Sequence, residues 1–210
     1  MAAKREKAPG IDKTNVEDES SPPPYVVVVQ GPPGVGKTTL VRSLVKNYTK
    51  YDLNVIEGTV TLVSSKNRRL TFIECPNDMH GMIDAAKVAD LVLLLIDASF
   101  SFEMETFEFL NILQVHGFPR VLGVLTHLDK IEDNKALRKT KKRLKNRFWT
   151  EIYNGAKLFY LSGIFNGLYN KTEIRNLARF IAVQKFENLS WRSSHCLLYT
   201  SDAADDLLCV

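Results

Sequence analysis

The sequence predicts an α/β domain: a mostly parallel sheet with helices on both faces. Three observations predict it. Val26-Val27-Val28-Val29 is an unbroken β-branched run, the pattern of a strand buried on both faces. Short apolar runs recur at 70–73, 91–96 and 120–125, with helix-length segments between them. A glycine-rich turn, Gly31-Pro32-Pro33-Gly34-Val35-Gly36-Lys37-Thr38, follows the first run directly. In a sheet of this kind ligands sit beyond the carboxyl ends of the strands, and that turn lies at such an end.

The elements follow in order. Residues 1–24 are polar and charged and end in Pro22-Pro23-Pro24, so they are expected to form a disordered leader. The first strand covers 26–29. A helix over 37–47 carries Leu40, Val41, Leu44 and Val45 on one side. A second strand is predicted at 70–73, a helix at 82–89, a third strand at 91–96, a helix at 102–115 and a fourth strand at 120–125. A long basic helix is predicted at 137–153, a fifth strand at 157–161 and a closing helix at 173–183. The domain therefore runs over 25–185, and 186–195 begin a following segment. From Cys196 to Asp206 the chain reads like the translation of a sequencing-library adaptor, so 196–210 are expected to be an artefact tail.

Bulk properties fit one ordinary domain. The chain has 210 residues, 45% of them hydrophobic, enough for a packed core. A formal charge of +4 is mild, so any nucleic-acid role depends on where the charge sits. Three cysteines, Cys75, Cys196 and Cys209, make no disulfide framework and fit a reducing compartment. The amino terminus carries no signal-peptide pattern, and the apolar run 91–96 is far too short to span a bilayer.

The turn matches G-x-x-x-x-G-K-[ST], a P-loop, and its setting between a buried strand and an amphipathic helix is the required one. Glycines let successive backbone N–H groups face inward as an anion nest, and the helix adds its positive end. Lys37 sets a charge against the β- and γ-phosphates, and Thr38 offers a hydroxyl to Mg²⁺. Thr39 completes the phosphate-facing segment. This is a P-loop NTPase fold binding a nucleoside triphosphate with Mg²⁺. The fourth strand ends in Thr126-His127-Leu128-Asp129, where GTPases carry N-K-x-D. An aspartate here accepts two hydrogen bonds from the guanine N1–H and amino group, which adenine cannot supply. Thr126 and His127 replace Asn and Lys. Asp129 could also cap a helix, since Glu132 lies three residues on. The fifth strand ends in Leu161-Ser162-Gly163, similar to the S-A-K turn whose backbone covers guanine O6.

The second strand ends in Glu74-Cys75-Pro76-Asn77 where GTPases read D-x-x-G. Glu74 offers a carboxylate to Mg²⁺ through a water. Asn77 takes the place of the glycine whose N–H meets the γ-phosphate, and no glutamine follows to orient water. The threonine that would complete the metal shell is Thr61, in Gly58-Thr59-Val60-Thr61, with Thr59 the alternative; both also suit a strand. The expected catalytic set is thus Lys37, Thr61 and Glu74, the metal set Thr38, Thr61 and Glu74, and hydrolysis should be slow or partner-dependent. His80 is a weaker candidate for the water. Asp97 would be an alternative metal carboxylate if the chain were a kinase or ATPase. Lys135, Arg138, Lys139, Lys141, Lys142, Arg143, Lys145 and Arg147 form a run without an acid. Like charges at i, i+4 are mildly destabilising alone, which points to an anionic partner such as RNA phosphate.

Several stretches carry a more specific resemblance. They are the segment from Val26 to Thr38, Ala89-Asp-Leu-Val-Leu-Leu-Leu-Ile-Asp-Ala-Ser99, Phe102-Glu-Met-Glu-Thr-Phe-Glu-Phe109, Gln114-Val-His-Gly-Phe-Pro119, Gly123-Val-Leu-Thr-His-Leu-Asp129, and Lys139-Thr-Lys-Lys-Arg-Leu-Lys145 with Arg147-Phe-Trp149. From about Pro22 to His195 the chain resembles the amino-terminal GTPase domain of the Bms-type ribosome-biogenesis GTPases; the related Tsr type is expected to lack an intact P-loop. The resemblance implies a G domain like those of translational GTPases, and GTP/GDP with Mg²⁺ as ligands. It also implies a nucleolar setting, contacts with pre-ribosomal RNA and small-subunit processome proteins, and further domains after this one.

Overall fold

The computed structural model describes residues 23–53, 58–65 and 68–186. The segments expected before residue 23 and after residue 186 lie outside the described residues.

The elements are β1 (Tyr25–Gln30), α1 (Lys37–Thr49), β2 (Val60–Ser65), β3 (Arg68–Glu74), α2 (Met79–Val88), β4 (Leu91–Asp97) and α3 (Met104–Val115). They continue with β5 (Arg120–Thr126), α4 (Asn134–Glu151), β6 (Leu158–Tyr160), β7 (Ile164–Phe165), β8 (Leu168–Tyr169) and α5 (Lys171–Val183). Six strands form one sheet in the order β2-β3-β1-β4-β5-β6. Only β2 runs antiparallel to its neighbour; the other pairs are parallel. The register sets Val29 beside Glu74 on one side and Leu93 on the other. The carboxyl ends of β1, β3, β4 and β5 therefore point the same way, as the sequence predicts.

The alternation of side chains divides the core in two. Val27 and Val29 join Leu93 and Leu95 beneath α1 and α5, where Leu40, Leu44, Leu177 and Ile181 cover them. Val28, Val92, Leu94 and Ile96 face α2, α3 and α4 through Met82, Ala86, Phe109, Leu113 and Phe148. Every residue of β4 is buried, which accounts for its unbroken apolar sequence.

Two features go beyond the predicted elements. The edge strand β2 pairs with β3, Val60 opposite Phe72 and Thr61 opposite Thr71. A small hairpin, β7–β8, follows β6. Its two-residue turn is Asn166 at φ 51 and Gly167 at φ 77. Both angles are positive, as a type I′ turn demands, and Asn-Gly is the pair that tolerates them best. The helix start at α4 also differs. Asp133 caps it, accepting from the Lys135 and Ala136 N–H groups. That leaves Asp129, in the short 3-10 turn Leu128–Lys130, clear of any capping duty there.

Helix α4 buries only Leu144 and Phe148. Phe148 is fully buried and packs in the core shared with β5. Truncating it should remove most of the anchor: Phe148→Ala is expected to cost about 3–5 kcal/mol. Lys142→Ala on the exposed face should change stability by less than about 0.5 kcal/mol. Urea unfolding of the two variants measures both.

Candidate functional site

The turn from Gly31 to Thr38 lies where β1 passes into α1. Gly36 is left-handed at φ 96, and a side chain there would meet the Tyr169 hydroxyl at 2.2 Å, so conformation and space both require glycine. Gly31, Pro32 and Val35 are buried, Pro33 and Gly34 exposed. The Val35 N–H donates to the Pro32 carbonyl at 3.4 Å, and the Thr39 carbonyl accepts from Ser43 Oγ at 2.7 Å.

Lys37 is 7% exposed. Its ammonium donates to the Gly31 carbonyl at 2.9 Å and to Asn77 Oδ1. Burial pushes the Lys37 pKa below the ordinary lysine value, opposed by the nearby negative groups, Glu74 first. Thr38 Oγ1 donates to Glu74 Oε1 at 2.9 Å. The two oxygens expected at the metal thus face one another across the β1–β3 junction. Asn77 was read as the replacement for a switch glycine; it also holds the P-loop lysine directly. Among the described residues no three His, Cys, Asp or Glu side chains cluster as a self-contained metal site. A hydroxyl and one carboxylate are the donor set that suits Mg²⁺ shared with phosphates. Cys75, beside them, is buried and its thiol is pushed up to about 12, so it is a packing residue.

Thr61 is not brought to this cluster. It stands in the β2–β3 ladder, its hydroxyl 2.9 Å from that of Thr71. Thr71 precedes Glu74 by three residues, about 10 Å along the strand. Thr59 lies just before β2, nearer the carboxyl end of β3 and exposed. Residues 54–57 lie outside the described residues. His80 is exposed in the first turn of α2, and Asp78 caps that helix by accepting from the Gly81 N–H at 2.9 Å.

The second part of the site lies past β5 and β6. Thr126 is fully buried, and its hydroxyl reaches back to the Ile96 carbonyl at 3.5 Å. His127, left-handed at φ 54, places Nδ1 3.0 Å from Asp97 Oδ2. Lys130 Nζ approaches the same oxygen at 3.5 Å, and the Ser99 N–H donates to Asp97 Oδ1 at 2.7 Å. Asp97, weighed as a metal carboxylate, is therefore committed to holding the loop that carries Asp129. Asp129 packs against Gly163: a Cβ there would lie 2.8 Å from Asp129 Cγ. The Ser162 N–H donates to Glu173 Oε2 at 2.9 Å, and the Ser162 hydroxyl to Glu173 Oε1. So α5 fixes the turn beside Asp129 from behind. A cavity of about 1130 Å³ opens here, lined by Asp129, Ser162, Gly163 and Tyr169 together with Lys46 and Arg175.

Asn77, Asp97, Glu173 and Tyr169 are the residues that sequence reasoning missed in these roles. Glu173 carried a local signal, three residues after the α5 cap Asn170, but it would have been read as a capping partner.

The basic helix is less uniform than its sequence. Lys141 lies over Tyr160, Lys145 over Trp149, and Arg147 over Phe102 and Phe107. Lys135, Arg138, Lys139, Lys142 and Arg143 remain exposed.

Comparison with known proteins agrees with this architecture. A family model described as the Tsr1 G-like domain matches residues 25–182. The human ribosome biogenesis protein BMS1 homolog is 60% identical over 207 residues, 99% of this chain and 16% of that protein. Ribosome biogenesis protein bms1 of Schizosaccharomyces pombe is 57% identical over 207 residues, 99% of this chain and 18% of its own length. BMS1 of Saccharomyces cerevisiae is 63% identical over 188 residues, 89% of this chain and 16% of that protein. The chain thus spans less than a fifth of the curated relatives it matches. Translation elongation factor SelB from Methanococcus maripaludis, solved in complex with the GTP analogue GPPNHP, superposes with a TM-score of 0.60 at 20% identity. That match covers 79% of this chain and 35% of the other and concerns the fold alone. The expected translational-GTPase-like fold is therefore present, and the chain belongs to the Tsr1 G-like domain family, with Bms1 proteins as close relatives.

Proposed function

We propose that this chain is the nucleotide-binding domain of a ribosome-assembly GTPase, binding GTP and GDP with Mg²⁺ and hydrolysing GTP slowly or with a partner's help. The observation that carries the reading is the convergence of Lys37, Thr38, Glu74 and Asn77 at the carboxyl ends of β1 and β3.

The chain's own groups supply each part. The backbone of Gly34 to Thr38 and the amino end of α1 receive polyphosphate oxygens. Lys37 exchanges two neutral acceptors, the Gly31 carbonyl and the Asn77 amide oxygen, for anionic ones, and its desolvated charge makes that exchange favourable. Thr38 and Glu74 would hold Mg²⁺, and the ion when bound would supply positive charge against the polyphosphate. Asp129 accepts the guanine N1–H and amino group, and the Ser162–Gly163 turn covers O6. Among the described residues no side chain near Asn77 is placed as a water-orienting group: Asp78 is engaged in its cap and His80 is exposed. Weak intrinsic turnover follows.

A second reading is favoured by the Lys37–Asn77 bond: the nucleotide stabilises a scaffold and is scarcely turned over. Single-turnover GTP hydrolysis with and without pre-ribosomal particles separates the two.

The exposed cations of α4 support contacts with pre-ribosomal RNA, and similarity to ribosome biogenesis proteins supports ribosome-assembly proteins as partners and a nucleolar setting. No helix among the described residues is long and apolar enough to cross a membrane.

Calorimetry should show GTP and GDP binding with Mg²⁺ and much weaker ATP; equal ATP affinity would reject the guanine reading. Asp129→Asn should weaken GTP on the order of 10- to 100-fold and shift preference toward xanthosine nucleotides, which present a carbonyl where guanine has its amino group. Retained GTP selectivity would count against Asp129. Replacing Lys139, Lys142 and Arg143 by Ala should lower the salt slope of RNA binding by about 2, three phosphate contacts' worth on a single strand. An unchanged slope removes α4 from the interface.

A further inference from the structure

Tyr169 stands at the end of the β7–β8 hairpin and is 6% exposed. It packs in the core beneath α1 and α5, and its backbone N–H donates to Ser43 Oγ of α1 at 3.2 Å. The ring therefore has a fixed place. Its hydroxyl does not share that settlement: it is shielded from solvent and has no hydrogen-bond partner among the described residues. Buried hydroxyls are normally paired, and an orphan one is costly.

The position of this hydroxyl is specific. It fills the space that Gly36 leaves by lacking a side chain, at the P-loop's last glycine. Tyr169 is among the residues that line the cavity with Asp129, Ser162 and Gly163. Burial pushes the phenol up to about 12, with Asp129 and Asp97 adding to the effect. At neutral pH it is therefore an intact O–H donor.

A purine held by Asp129 through its N1–H and amino group has a second edge to satisfy. That edge in guanine offers two acceptors, O6 and N7. The Gly163 turn accounts for O6. The Thr126 hydroxyl, at the end of β5, is spent on the Ile96 carbonyl inside the sheet. N7 then needs a donor, and the Tyr169 hydroxyl is a donor in this cavity's wall without an acceptor among the described residues.

We propose that Tyr169 is a nucleotide-recognition residue whose hydroxyl donates to N7 of the bound purine. The proposal rests on the guanine-nucleotide reading above. It also gives the hairpin a purpose: β7–β8 delivers a base contact from the α5 side.

The test is a mutant–ligand cycle, with GDP and 7-deaza-GDP, each with Mg²⁺, titrated into the wild-type chain and into Tyr169→Phe. A neutral hydrogen bond corresponds to a loss of about 3- to 10-fold. Wild type should bind GDP more tightly than 7-deaza-GDP by that factor. Tyr169→Phe should lose the same factor for GDP and little for 7-deaza-GDP. Its melting temperature without nucleotide should be equal to or above wild type, because the hydroxyl removed has no partner. Equal losses for both ligands, or GDP affinity within about twofold of wild type, overturn the proposal and leave the guanine reading standing. Absence of GDP binding by wild type overturns both. If the variant does not fold, the wild-type arm decides: equal affinity for GDP and 7-deaza-GDP rejects the N7 contact.

Discussion

The buried ammonium of Lys37 is the constraint around which the rest of the site is arranged. A lysine charge 7% exposed is tolerable only with acceptors on it, and the protein supplies neutral ones, a backbone carbonyl and an amide. Neutral acceptors hold the side chain without cancelling its charge. The field at the β1–α1 junction therefore stays positive, reinforced by the helix end and the inward amides. Parallel pairing of β1 with β3 places Glu74 one strand away, close enough to Thr38 for a hydrogen bond but without a salt bridge to Lys37. A carboxylate paired with the lysine would have quenched the anion site.

Much of this was legible in the sequence because the signals are local. Strand β1, the P-loop and α1 are contiguous, and their valine run, glycine spacing and helical apolar stripe report the junction directly. The buried strands β4 and β5 announced themselves by length and apolarity. What was less legible depends on pairing across distance. Thr61 belongs to a motif-like string, yet its hydroxyl is held by Thr71, ten residues on, in an antiparallel ladder the string does not specify. Edge strands have a weak signature because one side of the ladder faces solvent, and β2 alternates only partly. The β7–β8 hairpin did carry a signal in Asn166-Gly167, but two-residue strands offer no periodicity to support it.

The rival role of Asp129 shows how structure separates readings that sequence leaves level. Both Asp129 and Asp133 precede a helix and both are followed by polar residues. Free N–H groups at the start of α4 are satisfied by a carboxylate two or three residues before them, and that carboxylate is Asp133. Asp129 is then a carboxylate with no backbone donor recorded in its turn, pressed against Gly163. Such a group gains from an external pair of donors, which is what a guanine edge presents.

The substitutions at the base end form a connected set. With Thr at 126 and His at 127, the loop after β5 lacks the amide and the long cationic chain of N-K-x-D. The structure compensates by a different route. Asp97 reaches from β4 to His127 Nδ1 and to the Lys130 ammonium, so both contacts on one carboxylate brace the loop. Glu173 braces the facing turn from α5 through Ser162. The two braces flank the cavity that Asp129 and Ser162 line. On the proposed guanine reading, a base in the cavity would be oriented by Asp129 on one edge and would need a donor from another element on the opposite edge. On the same proposal the β7–β8 hairpin would supply that donor through Tyr169, which would account for a buried side chain that keeps a hydroxyl with no partner among the described residues.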